Sequence, residues 1–231
     1  MTVKNIVLMR LNGTQDKRDN YVTLPLGLGY IAAVLKKEGY KVSIVDLTLE
    51  DVNYDNVIER LRNIGPDLVG ITALSYEYIQ VKKMASLLNK NIQCKIVLGG
   101  HLPLYNYKLV LEKTNVDICV IGEGELTIVD LLNNISSLEK VKGIAYKENE
   151  QVKLNEAREL INDLDTIPFP AYELFEMEKY STLLMNDIYL SKKFLPKKRT
   201  HKKTSMEAGR GCPFSCEFCS KMFKKGRRRS I

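Results

Sequence analysis

The sequence predicts an α/β protein built on a parallel sheet with helices on both faces. Three observations carry that expectation. Short apolar runs alternate with amphipathic stretches over residues 3–135; the runs are apolar on both faces; and several close on glycine. Strands buried on both sides read as continuous apolar runs, and parallel neighbours need a crossover helix between them.

Ile6, Val7, Leu8 and Met9 form the first predicted strand. Residues 26–38 predict a helix that Gly39 ends. Residues 41–47 predict a second strand, with Asp46 near its end. Residues 56–63 predict a helix that stops before Gly65 and Pro66. Residues 67–73 form a third, nearly all-apolar strand. Residues 79–89 predict a helix with Ile79, Met84, Leu87 and Leu88 as its apolar positions. Residues 95–98 predict a fourth strand, closed by Gly99 and Gly100, and residues 104–112 a helix. Residues 116–121 predict a fifth strand, closed by Gly122, Glu123, Gly124 and Glu125, and residues 126–132 a final helix.

Five such units fit a flavodoxin-like, doubly wound domain over residues 1–140. In these sheets ligands bind beyond the C-terminal strand ends. The loops there are residues 10–20, Leu74 to Tyr76, Gly99 to His101 and Gly122 to Glu125. Their glycines let backbone approach a ligand closely, and they serve tight turns equally well. Residues 141–200 predict a hairpin and a linker. The hairpin pairs 143–146 with 151–154, and the linker holds short helical pieces around Pro168, Pro170 and Pro196. Residues 201–231 form the last region, in which 204–208 predict a strand leading into a cysteine loop.

Composition narrows the class. With 45% apolar residues in 231, the chain can bury a core. No apolar run approaches the ~20 residues of a membrane span. The N-terminal residues lack the pattern of a signal peptide, so a cytoplasmic location is expected. The net charge of +7 is uneven. Residues 191–231 hold fourteen Lys or Arg against Glu207 and Glu217, an excess of +12, and the first 190 residues carry −5. Such a stretch can serve nucleic acid. A charged face toward solvent or toward an absent partner accounts for it without nucleic acid and is the preferred reading.

Cys212, Cys216 and Cys219 stand in a C-x3-C-x2-C run on a loop with Gly209, Gly211 and Pro213. Three thiolates there can converge on one metal centre and leave one coordination position open, which points to chemistry rather than stapling. The rival is structural zinc with His201 as fourth ligand, disfavoured because His201 lies eleven residues before Cys212 and the spacing is unlike a zinc knuckle. Cys94 and Cys119 sit in strand-like runs and read as small buried hydrophobes.

Together these motifs resemble the cobalamin-binding-domain subfamily of radical SAM enzymes. The cysteine run with Phe218 before its last cysteine, and the lead-in Gly209-Arg210-Gly211-Cys212-Pro213, are similar to that subfamily's cluster loop. Leu24 to Leu35 resembles its first helix, Leu98 to His101 and Asp117 to Glu125 its later strand ends, and Asp165 to Tyr172 its interdomain linker. The resemblance implies a [4Fe-4S] cluster on Cys212, Cys216 and Cys219, with S-adenosylmethionine chelating the fourth iron and yielding a 5'-deoxyadenosyl radical. It implies that backbone near Phe218 meets the adenine. It implies cobalamin, whose nucleotide tail is accompanied by Thr72 and Leu74, given room by Gly99 and Gly100, and bounded by Gly122 and Gly124. Methyl transfer or related radical chemistry follows, with an electron donor such as flavodoxin or ferredoxin and a substrate the sequence does not specify.

The chain also departs from the pattern. The cobalt-ligating Asp-x-His-x-x-Gly motif is absent from residues 10–20, so no His of that loop can ligate cobalt; His101 reads as an ordinary polar loop residue. Only twelve residues follow Cys219, whereas a βα barrel needs ~200 or more. The expectation is the opening unit of a barrel, with residues 221–229 as a barrel helix, in a truncated or split chain inactive by itself. Two alternatives belong to other classes. One is a corrinoid-binding module without catalysis of its own. The other is a tRNA-modifying radical enzyme, whose second cluster Cys94 and Cys119 do not supply.

Overall fold

The computed structural model of the chain describes residues 3–12, 23–50, 52–180, 204–214, 216–219 and 226–230. The main sheet begins with five parallel strands: β1 (Asn5–Arg10), β2 (Lys41–Asp46), β3 (Leu68–Thr72), β4 (Lys95–Gly99) and β5 (Ile118–Val120). Their spatial order, β2-β1-β3-β4-β5, is that of a flavodoxin-like domain. The crossovers are α1 (Leu26–Lys37), α2 (Tyr54–Ile64), α3 (Tyr78–Asn91), α4 (His101–Lys113) and α5 (Gly124–Asn133).

Local chemistry sets the helix ends. Asn53 caps α2 by accepting from the amides of Asp55 at 2.9 Å and Asn56 at 3.3 Å, and Gly65 ends it in the left-handed region. Asp67 accepts from the amides of Lys4 and Asn5, both at 2.8 Å, and so joins the start of β1 to the start of β3. These backbone hydrogen bonds hold its carboxyl below the usual carboxylate range.

Side chains alternate across each strand and build two cores. Val7, Met9, Val69, Ile71 and Leu98 face α2, α3 and α4. Ile6, Leu8, Leu68 and Val97 face α1 and α5. Burial on both sides is what made these strands read as unbroken apolar runs.

Several expectations change. The hairpin, β6 (Ile144–Glu148) and β7 (Gln151–Leu154), is not a separate region. It adds antiparallel to β5 and makes a seven-stranded sheet. Residues 155–180 are no loose linker either. Ile161, Leu164 and Ile167 bury against Tyr30 and Val34 of α1, and Ala171, Phe175 and Tyr180 enter the α1/α5 core. Gly29 permits this approach: a Cβ there would stand 2.8 Å from the Pro170 Cβ, and the Ala171 amide donates to the Gly29 carbonyl at 3.0 Å. The strand expected at 204–208 lies one step later, as β8 (Gly209–Arg210), paired antiparallel with β9 (Arg227–Arg228). Residues 226–229, expected as part of a barrel helix, therefore include a strand. His101 opens α4 rather than lying in a loop. The rest of the predicted tail helix (221–225), His201 and most of the 10–20 loop lie outside the described residues.

A buried polar knot fastens residue 180 to the sheet. Asp46 accepts from Arg10 Nε at 2.9 Å, from the Thr48 amide at 3.0 Å, from Thr48 Oγ1 at 2.7 Å and from the Tyr180 hydroxyl. Burial, reinforced by the bond to the Asp46 carboxylate, pushes the Tyr180 phenol well above its ordinary pKa. Hydrogen bonds to charged groups contribute about 1.5–3 kcal/mol. Tyr180→Phe should therefore lower stability by about that amount, read as a fall in the urea midpoint at unchanged m-value.

Candidate functional site

A cavity of about 380 Å³ opens at the C-terminal ends of the parallel strands, on the α1/α5 side. Its floor is apolar: Leu8, Gly70, Val97 and Val120 from the sheet. Its walls are Leu26, Leu28 and Ile31 of α1 and Ile128 of α5. Thr72, Gly99, Gly100, Gly122 and Gly124 form the rim, and Gly209, Arg210 and Gly211 close it from β8. An apolar cavity with a polar and charged rim can enclose the apolar part of a small molecule while its polar part meets the rim.

The glycines divide by role. Beyond the chain neighbours, a Cβ on Gly99 or Gly122 would meet nothing within 4 Å, so both leave space open to the cavity; Gly122 also has a φ of +97°, which favours glycine regardless of space. Gly100 serves packing: its φ is +88°, and a Cβ would stand 2.8 Å from the Ala73 carbonyl and 2.9 Å from Thr72 Oγ1. A Cβ on Gly124 would press on Ile31 Cδ1 at 2.8 Å. Leu74, also expected at this site, is exposed and outside the lining.

Charge closes the cavity at β8. Arg210 donates from Nη1 to Glu123 at 3.1 Å, from Nη2 to Glu125 at 2.5 Å and from Nε to Glu207 at 2.5 Å. Arg227 donates from Nη1 to both oxygens of Glu123, at 2.9 and 2.8 Å, and to the Ile161 carbonyl at 2.7 Å. The Ile161 amide returns a bond to Glu123 at 2.8 Å. The side chains of Glu123 and Arg227 are only 4% and 2% exposed, so this is a buried ion cluster. Tyr30 lies beneath it, with the guanidinium carbons of Arg210 and Arg229 at 5.3 and 5.4 Å from its ring centroid.

Burial pushes the Glu123 carboxyl up. The hydrogen bonds from Arg227, the Ile161 amide and Arg210 outweigh it and hold the pKa below the ordinary value. Burial also works against the charge of Arg210, yet Glu125 and Glu207 keep its pKa above the ordinary value. Sequence reading named Gly122 and Gly124 and passed over Glu123, Glu125 and Arg210. The available signal was a pair of acids in a strand-end glycine loop and an arginine within the glycine lead-in to the cysteines.

Cys212, Cys216 and Cys219 are exposed, as are Phe214 and Phe218, the latter at 94%. The Cys219 amide donates to the Cys216 carbonyl at 3.2 Å, so the loop carries a tight turn. Among the described residues no three His, Cys, Asp or Glu side chains are gathered for a metal ion. The donor chemistry suits iron–sulfur ligation, and the thiols are not drawn together in this arrangement. Burial pushes the Cys119 thiol up to about 12 and the Cys94 thiol up to about 11, as fits small core residues.

Residues 19–132 match the model of the B12 binding domain. The chain is 34% identical to an uncharacterized methyltransferase of Pyrococcus horikoshii, over 88% of this chain and 42% of that protein. It is 30% identical to the cytidylyl-2-hydroxyethylphosphonate methyltransferase of Streptomyces wedmorensis, over 99% of this chain and 50% of that enzyme. The chain thus spans half the length, or less, of these two relatives. The solved structure of OxsB, a cobalamin-dependent S-adenosylmethionine radical enzyme with aqua-cobalamin and S-adenosylmethionine bound, superposes with a TM-score of 0.79. That match covers 99% of this chain and 30% of that one at 22% identity, a likeness of fold.

Two outcomes test the ion cluster. Glu123→Gln leaves two guanidiniums short of their shared carboxylate and should cost about 3–5 kcal/mol in denaturant unfolding. Because the folded pKa of Glu123 is depressed, its contribution is complete above its unfolded value of about 4.3 and disappears as pH falls through the folded value. Protection of residues 204–211 from protease should therefore be full above about pH 4.3 and decline progressively as pH falls below it, with a smaller decline in Glu123→Gln.

Proposed function

The chain belongs to the B12-binding family that the cobalamin-dependent radical SAM enzymes share, and on that premise we propose that it takes the nucleotide tail of a corrinoid into the cavity between α1, α5 and the sheet. The observation that carries this reading is the pairing of Gly99 and Gly122. Gly99 ends β4 and Gly122 follows β5, and beyond its chain neighbours neither has an atom within 4 Å of where a side chain would begin, although the φ of +97° at Gly122 by itself favours glycine. Two such openings flank an apolar slot on the strand-end side of a doubly wound sheet, where ligands of this fold bind. About 380 Å³ suits a heterocycle with part of its ribose phosphate, while the macrocycle would lie outside, over the strand ends.

Thr72 would offer a hydroxyl at the rim, and Leu8, Val97 and Ile128 would exclude water from the ring's faces. Gly100 would set the rim by letting the end of β4 close on Ala73 and Thr72. Leu74, exposed just past the rim, would face the part of the ligand that lies outside the cavity.

The finer reading extends to the cysteine loop. Cys212, Cys216 and Cys219 would ligate a [4Fe-4S] cluster whose remaining iron takes S-adenosylmethionine, with Phe218 beside it. When bound, the cluster supplies the electron that starts radical chemistry, and the corrinoid a methyl-carrying metal. Substrate and electron donor would be those of a full-length enzyme of the radical SAM methyltransferase type, in the cytoplasm. A corrinoid-binding module without catalysis is the other reading, in which the cysteine loop carries no cluster. Iron and acid-labile sulfide after anaerobic reconstitution separate the two: stoichiometric uptake, lost when Cys212, Cys216 and Cys219 are replaced by Ala, supports the cluster.

Hydroxocobalamin titration tests the shared premise. The parent chain should show a saturable spectral shift. Gly99→Val grows a side chain into open space at the end of a strand, so its melting temperature should match the parent while the shift is lost. A Gly99→Val chain that binds as the parent does would place the ligand elsewhere.

A further inference from the structure

The cavity and the cysteine loop share a wall. Gly209, Arg210 and Gly211 line the cavity, and Cys212 is the next residue. Charge holds that wall in place. Each nitrogen of the Arg210 guanidinium meets a different carboxylate: Nη1 meets Glu123, Nη2 meets Glu125 and Nε meets Glu207. Glu123 and Glu125 belong to the cap and first turn of α5, whereas Glu207 precedes β8. Arg210 therefore stitches the strand that enters the cysteine loop to the rim of the cavity.

A planar fork with every nitrogen engaged fixes rotation as well as distance, which an ammonium cannot do. Arg227 on β9, where the chain returns from the cysteine loop, binds the same Glu123. The loop is thus tied down at both feet by one carboxylate.

We propose that Arg210 is a positioning residue for the cysteine loop, and that through it filling the cavity and loading Cys212, Cys216 and Cys219 are thermodynamically linked. This rests on the reading that the cavity takes a corrinoid tail. A ligand in the cavity touches Gly209, Arg210 and Gly211 and so favours the docked β8/β9 ribbon. The docked ribbon holds the feet of the cysteine loop at one separation and lowers the ordering cost of gathering three thiols. Linkage makes the effect reciprocal: whatever factor the filled cavity gives to metal loading, metal loading gives to cavity affinity.

Hydroxocobalamin is titrated into the full chain before and after anaerobic reconstitution with iron and sulfide, for the parent, Arg210→Met and Arg210→Lys. The parent's two dissociation constants should differ by about 5–150-fold, the usual range for coupled sites. Arg210→Met, checked for native near-ultraviolet dichroism, should bring the ratio to one. Arg210→Lys, which keeps the charge and loses the fork, should fall between. Glu125→Gln repeats the measurement should Arg210→Met fail to fold. A parent ratio of one overturns the proposal, as does a parent ratio preserved in Arg210→Met. A parent that gives no cobalamin shift defeats the corrinoid reading alone. In that case, or if no iron is taken up, amide hydrogen exchange over residues 207–211 decides. Protection lost in Arg210→Met and Glu125→Gln sustains the positioning role, and protection unchanged in both overturns it.

Discussion

One carboxylate organises the upper half of this molecule. Glu123, in the turn between β5 and α5, accepts from Arg227, from Arg210 and from the Ile161 amide. Those three bonds tie the parallel sheet to the β8/β9 ribbon and to the segment that follows the hairpin. Two buried guanidiniums on one buried acid would be prohibitive without the further carboxylates of Glu125 and Glu207. The cluster is directional where an apolar seal would not be: it fixes which face of the ribbon meets the domain and therefore where the cysteine loop begins.

The cavity follows from a second constraint, the covering of a parallel sheet on both faces. Toward α2, α3 and α4 the apolar side chains close completely, with Val7, Met9, Val81, Met84 and Leu98 essentially inaccessible. Toward α1 and α5 closure fails at the strand ends. Gly99 and Gly122 give no side chain to the rim there, while in the floor Leu8 Cδ2 packs over Gly70, 2.9 Å from where a Cβ would stand. The opening is thus a property of residue size at a few positions within an otherwise well-packed layer. The second polar cluster, Arg10–Asp46–Tyr180, lies at the ends of β1 and β2 and anchors residue 180 to the domain.

Much of the fold is legible in the sequence. Strand and helix positions from β1 through α5 follow from apolar runs, their spacing and glycine punctuation, and no boundary differs by more than three residues. The rim glycines were named, but their division was not. That Gly99 faces space while Gly100 faces the Ala73 carbonyl depends on how β3 and β4 end side by side. The 141–180 region was misread because its periodicity is weak. Ile161, Leu164 and Ile167 are spaced for an irregular chain lying in the groove beside α1, a pattern that neither helical nor strand period detects.

By itself the sequence determined the parallel α/β class, the order of the first ten elements, the glycine-rich strand ends and the three-cysteine run. These are local: each is written in periodicity, residue size or spacing within a few positions. Tertiary structure alone decided that the hairpin completes the main sheet and that the following segment is core. It alone decided that Arg210 and Arg227 meet at Glu123, across 87 and 104 residues of chain. An arginine in a basic tail and a glutamate in a glycine loop carry no mark of their partnership in sequence. Only the docking of the ribbon removes water from both and makes the pairing a requirement rather than an option.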